Sequence, residues 1–142
     1  MNFIKDIVRR NYHPIVLEVK LDCMTEEYTK TKAQIYKSIY ESIDEDFDLI
    51  YEQDTFEETL EMVRKLDPVL ILPGNENGVI LATKLANELG LTSNPIESLD
   101  AMTLKDEMQN ALKRAGIRYI KGKTVKSPEE GLKFYLRIQH QN

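Results

Sequence analysis

Apolar positions fall into short extended runs separated by longer stretches of helical spacing, and this pattern repeats three times in the first ninety residues. Ile15 to Val19 is a β-branched run interrupted by Glu18, and it reads as a first strand. His13-Pro14 before it ends any helix formed by the opening MNFIKDIVRRNYH, because a residue preceding proline is pushed toward extended conformations. A helix starting at Thr25, with Glu26 and Glu27 in its first turn, ends near Ser42 or Ile43 and packs through Ile35, Ile39 and Ile43, and Tyr36, Tyr40 and Ile43 on it read as core or interface and not as a ligand box. After the acidic turn from Asp44 to Asp48, Leu49-Ile50-Tyr51 forms a short second strand. Thr55-Phe-Glu-Glu58 has the capping-box pattern, so a second helix is predicted over Phe56 to Leu66, and Asp67-Pro68 stops it.

The third unit, from Asp67 to Gly90, is the one around which the others are arranged. Val69 to Leu72 reads as a buried strand, followed by a Pro73-Gly74 turn and the polar residues Asn75, Glu76 and Asn77. Ala82, Leu85, Ala86 and Leu89 then recur at helical spacing up to Gly90. Alternating strands and helices predict an α/β domain: a mainly parallel sheet with helices on both faces and Val69 to Leu72 at its centre. Ligands of such sheets collect beyond the carboxyl ends of the strands, which directs attention to the loop around Glu76.

Beyond Gly90 the segment LTSNPIESLDAM is rich in turn formers, with a corner at Asn94-Pro95. Helix signals return at Thr103. Leu104, Met108, Ala111, Leu112 and Ala115 hold one face and Gly116 supplies a left-handed cap. Ile117 to Ile120 is an edge strand or an extended exit. Ser127, Pro128 and Glu130 then combine an N-cap serine, a first-turn proline and a third-position glutamate ahead of a last helix.

The chain has 142 residues, enough for one domain and short for two, and its 42% apolar content supports an ordinary core. A net charge of −5 with scattered lysines and arginines argues against nucleic acid as the main partner. No apolar run approaches the roughly 20 residues that cross a bilayer. A single cysteine, Cys23, excludes an internal disulfide framework and, with no signal-like segment, points to the cytoplasm. With only His13, His140 and Cys23 as soft ligands, no transition-metal cluster has workable spacing, whereas a metal held by carboxylates alone stays open. Gly122-Lys123-Thr124 hints at a P-loop, but the pattern needs glycine where Ile117 stands. Glu76 can orient a substrate or merely cap a helix. Lys105 can meet a phosphate or rest in solvent, and Cys23, at the end of the first strand, is more simply structural than nucleophilic.

Several short motifs fall in a familiar order. Leu72-Pro-Gly-Asn-Glu-Asn-Gly-Val79, then Leu81-Ala82, Leu85-Ala86, Leu89-Gly90-Leu91 and Asn94, then Lys105-Asp-Glu-Met108 and Ala115-Gly116-Ile117 resemble the front domain of ATP-grasp ligases. The likeness is greatest to the carboxylate-amine ligases that join amino acids. The resemblance implies a three-layer Rossmann-like (pre-ATP-grasp) domain over residues 1–121, with 122–142 a linker and the first helix of a truncated ATP-grasp domain. It implies a substrate wall at Gly74, Asn75, Glu76 and Asn77, with Glu76 matching the glutamate of a Gly-x-Glu-x-Gly-Val loop. It also implies a nucleotide contact at Lys105, no catalytic or metal-binding residue in this segment, and a small carboxylate or amine as substrate. ATP and Mg2+ would be held by C-terminal lobes that these residues do not include, and neither would bind tightly to this segment alone. On this view the chain is a fragment inactive by itself, whose parent could be a homodimer, and the alternative is a stand-alone flavodoxin-like interaction module. Two departures from the family pattern stand out: Leu104 replaces the aspartate before the lysine, and the first strand-helix turn is Asp22-Cys23-Met24-Thr25 instead of glycine-bearing.

Overall fold

The computed structural model describes residues 2–20 and 26–139. Within them the chain is an α/β structure with seven α-helices and a two-stranded parallel sheet. Helix α1 (Asn2–Arg9) precedes strand β1 (Ile15–Glu18), helix α2 (Glu26–Glu41) and strand β2 (Asp48–Tyr51). Helices α3 (Phe56–Lys65), α4 (Val79–Glu88), α5 (Leu99–Thr103), α6 (Lys105–Arg114) and α7 (Pro128–Gln139) follow. The expectations on Leu21 to Thr25, including Cys23, lie outside the described residues.

β1 and β2 pair in parallel, Ile15 opposite Asp48 and Glu18 opposite Tyr51, with α2 as the crossover that a parallel pair requires. Side chains fasten both ends of the pair. His13 Nε2 lies 3.0 Å from Asp48 Oδ2 at the start of the strands. At their carboxyl ends the Lys20 backbone N–H donates to Glu52 at 2.7 Å and its ammonium donates to Asp54 at 2.6 Å. Of the packing positions expected on α2, Ile35 and Ile39 are exposed, whereas Tyr36, Tyr40 and, just past the helix end, Ile43 are half-buried, as their reading as core or interface expects. The reason is chemical. Tyr40 can meet Phe47 in a tilted ring pair, with centroids 5.9 Å apart, and still place its hydroxyl on Glu18 at 2.5 Å, which isoleucine cannot do.

α3 opens on the capping box expected at Thr55. The Thr55 hydroxyl accepts from the Glu58 N–H at 3.2 Å, and the Glu58 carboxylate accepts from the Thr55 N–H at 3.1 Å. One turn on, the buried Thr59 hydroxyl donates to the Thr55 carbonyl and accepts from the Gln53 N–H, so the entry to α3 has its polar groups satisfied. Thr55→Ala is expected to lower stability by about 1 kcal/mol. Urea unfolding of the two proteins, with unchanged slope, measures it.

Leu60 and Val63 of α3 meet Leu81 and Leu85 of α4 in a small core, against which Leu17, Val19, Ile50, Phe56, Ile71 and Leu89 pack from the rim. The expected third strand does not form a ladder: Val69 to Leu72 is irregular, with a bend at Val69, and has no strand partner among the described residues. Only Ile71 turns toward the core, while Val69, Leu70 and Leu72 are half or more exposed. Ile117 to Ile120 likewise joins no strand ladder among the described residues and is not an edge strand. The segment from Leu91 to Met102 holds more helix than its turn formers suggested, with a 3-10 turn at Ile96–Ser98 leading directly into α5. α5 packs on both α4 and α6. Leu104, extended at φ −103° and ψ 122°, separates α5 from α6. Gly90 and Gly116 take the left-handed conformation that closes α4 and α6, at φ 67° and 70°. No helix of the described residues is long and apolar enough to cross a membrane.

Candidate functional site

The loop singled out in the sequence is a single exposed turn ahead of α4. Asn75 stands in extended backbone, and its side-chain oxygen accepts from the Gly78 N–H at 3.3 Å, beside the Asn75 carbonyl at 3.1 Å. Glu76, Asn77 and Gly78 form one 3-10 turn that runs into α4. Capping is thus the work of Asn75. The Glu76 carboxylate is exposed and has no hydrogen-bond or ion-pair partner among the described residues, which removes the capping role considered for it. Near Gly74 a β-carbon would meet nothing within 4 Å, so the backbone there is open to approach from outside. The four residues Gly74, Asn75, Glu76 and Asn77 therefore present one carboxylate and two amides on the same open turn. Such a set suits a cationic amine, with the amides as donors or acceptors to a neighbouring polar group.

Lys105 is the first residue of α6 and is exposed, with no ion pair among the described residues. Leu104 occupies the cap position and offers no side-chain acceptor, as its departure from aspartate foretells. The next residue, Asp106, is engaged elsewhere: the Thr124 hydroxyl donates to it at 2.7 Å, and that bond holds its carboxyl below the usual range. The structure does not bring Lys105 to the Glu76 turn. That turn contacts α4 and α6 contacts α5, with no close backbone contact between the turn and α6.

Gly122-Lys123-Thr124 forms no phosphate cradle: Lys123 pairs with Glu130 and Thr124 is spent on Asp106. A shallow depression of about 310 Å³ lies between the ends of α3 and α4, lined by Arg64, Asp67, Pro68, Glu88, Leu89 and Leu91. It sits at the opposite end of α4 from Glu76, about 15 Å away for a ten-residue helix. At the carboxyl ends of β1 and β2 a further polar group, Lys20 with Glu52 and Asp54, emerges where parallel sheets gather ligands. The Lys20 hydrogen bond and charge hold the Asp54 carboxyl below its ordinary range. The sequence carried a signal for this group, since its members are the first charged residues after the two strands. Among the described residues no three His, Cys, Asp or Glu side chains are grouped to hold a metal ion.

No protein-family model matches the chain, and no curated protein and no solved structure is significantly similar to it.

Proposed function

We propose that this chain is the N-terminal, substrate-side domain of an ATP-dependent carboxylate-amine ligase of the ATP-grasp kind, with a Rossmann-like three-layer arrangement completed in the working enzyme. The reaction is amide-type bond formation, in which a carboxylate is activated as an acyl phosphate and captured by an amine. The observation that supports this reading is the unengaged Glu76 carboxylate on a turn whose capping is already done by Asn75. A carboxylate with no hydrogen-bond or ion-pair partner among the described residues is available to hold the ammonium of an amino-acid substrate, with Asn75, Asn77 and the open backbone at Gly74 beside it. Lys105 is assigned a phosphate contact. Since α6 makes no close backbone contact with the Glu76 turn, that contact is to a nucleotide held by lobes outside these residues. On this reading ATP and Mg2+ are held by those lobes.

The test is ATP-dependent phosphate release by the intact gene product over a panel of amino acids. Release stimulated by particular amino acids is expected, and Glu76→Gln should lower kcat/KM about tenfold through KM, as for a contact made equally in ground and transition state. No release with any amino acid or related carboxylate would overturn the reading. A second reading, an interaction module without activity, draws its support from the exposed apolar residues of Val69 to Leu72 and Ile117 to Ile120. It gains if phosphate release fails while the chain captures a defined partner.

A further inference from the structure

The two faces of the β1–β2 pair are covered by different helices. Glu18 is turned to α2, whose Tyr40 hydroxyl donates to it, whereas Leu17, Val19 and Ile50 pack on the cluster that α3 and α4 form from Leu60, Val63, Leu81 and Leu85. α2 and α3 therefore lie on opposite faces of the sheet. Parallel crossovers are right-handed, so a helix on one face carries the chain sideways in one direction and a helix on the other face carries it back. α2 takes the chain from β1 to β2. α3 then returns it across β1, and the apolar run that follows α3, Val69 to Leu72, is delivered to the outer edge of β1. Ile71 already packs on the same cluster as Leu17.

That edge is open. The Pro14 and Glu18 carbonyls accept from the Asp48 and Glu52 N–H groups at 3.1 and 3.0 Å, so Pro14, Val16 and Glu18 are the residues of β1 whose backbone faces β2. By the alternation of a parallel ladder, the N–H and C=O groups of Ile15, Leu17 and Val19 face the other way. They have no hydrogen-bond partner among the described residues.

We propose that in solution Val69 to Leu72 closes onto this edge as a third parallel strand, with β1 in the middle and Ile71 opposite Leu17. The register follows from the face that Leu17 and Ile71 share. In it the Leu70 and Leu72 N–H groups donate to the Ile15 and Leu17 carbonyls, and the Leu17 and Val19 N–H groups donate to the Leu70 and Leu72 carbonyls. Pro73 then directs its backbone away from β1, so the N–H it lacks is not called for. Closure carries the Glu76 turn to the carboxyl end of the sheet, where Lys20, Glu52 and Asp54 stand. Closure stands on chain geometry alone. Its use, to set the Glu76 carboxylate and the Lys20 ammonium at the two charged ends of one amino-acid ligand, rests on the ligase reading above.

Residue-resolved amide hydrogen exchange and nuclear Overhauser contacts on the intact gene product read the proposal. The Leu17, Val19, Leu70 and Leu72 amides should exchange at least about tenfold more slowly than that of Ile71, whose N–H faces outward in the closed strand. A backbone Overhauser contact between Leu17 and Leu72 within one chain is expected. Leu70→Pro deletes one donor and should cost the Leu17 and Val19 amides about tenfold in protection. The Asp48 and Glu52 amides, bonded to β1 with or without closure, should keep theirs, which separates loss of closure from loss of the fold. Leu70 and Leu72 amides that exchange as fast as that of Ile71 overturn the proposal. So does a Leu17–Leu72 contact found only between differently labelled copies, which would mean strand exchange between molecules. Phosphate release without this protection would leave the ligase reading standing and remove closure, and protection without release would do the reverse.

Discussion

Leu85→Ala is expected to cost about 3 kcal/mol, the largest effect of any single truncation in the described core. Leu85 is fully buried in the middle of α4 and is in the same cluster as Leu60, Val63 and Leu81. That cluster is small, and its rim residues, Leu17, Ile50 and Ile71 among them, are themselves only half covered. Two effects oppose each other. Loose rim side chains can relax into the space left behind, which lowers the cavity cost, yet few other buried contacts remain to carry the fold. Against a total stability of about 5–15 kcal/mol, the loss is a large share. The midpoint of thermal unfolding should fall by about 10 °C. Ile80→Ala on the exposed side of the same helix serves as the control, since Ile80 is 47% exposed and its truncation should cost under about 1 kcal/mol. Urea titration of both variants decides the matter. A Leu85 variant no less stable than the Ile80 variant would mean that the core is not centred on α4.

The helices were legible because their signals are local. Thr55 and Glu58 specify the start of α3 within four residues, and the hydroxyl and carboxylate do in the structure what their spacing requires. Ser127 accepts from the Glu130 N–H at 3.2 Å in the same way, and Gly90 and Gly116 close their helices in the left-handed region. Positions that depend on distant partners were less legible. Ile35 and Ile39 satisfied the helical spacing but are exposed, while Tyr36 and Tyr40, legible as core or interface, take the packed face, where Tyr40 shares burial with a hydrogen bond to Glu18 on another element that no local pattern specifies. The turn formers at Asn94-Pro95 concealed α5, a five-residue helix whose stability comes from packing on α4 and α6 more than from its own sequence.

Val69 to Leu72 shows where sequence reasoning stops. An apolar run states that burial is favourable; it does not state which chain will supply the hydrogen-bonding neighbour, since parallel pairing is nonlocal. Here β1 and β2 find each other through α2, and the third run turns one residue, Ile71, into the core while leaving the rest open. The candidate site follows the same division. Asn75, Glu76 and Asn77 were recognisable from composition at the end of an apolar run. That Asn75 would take the capping role and leave Glu76 unengaged depends on an Asn75 backbone at φ −158°, which no spacing rule supplies.

Tyr40→Phe is expected to cost about 2 kcal/mol, the range for a hydrogen bond to a charged group. The Tyr40 hydroxyl donates to Glu18 at 2.5 Å and so links α2 to the last residue of β1. Phenylalanine would keep the ring contacts with Tyr36 and Phe47, so the variant isolates the hydroxyl. The effect has a pH signature whose sign follows from the environment. Burial first, then the bond to Glu18 and its charge, raise the phenol well above its ordinary range. The folded state therefore holds this proton more tightly than the unfolded chain does. Stability from the pair is fully present below the unfolded phenol's pKa of about 10 and declines as pH rises beyond it. In Tyr40→Phe that decline has no Tyr40 component, so the gap between the two proteins should be constant through neutral pH and narrow above about pH 10. Urea midpoints of both proteins across that interval give the answer. Curves that stay parallel into the alkaline range would show that the hydroxyl is solvated and that α2 is held to β1 by ring packing alone.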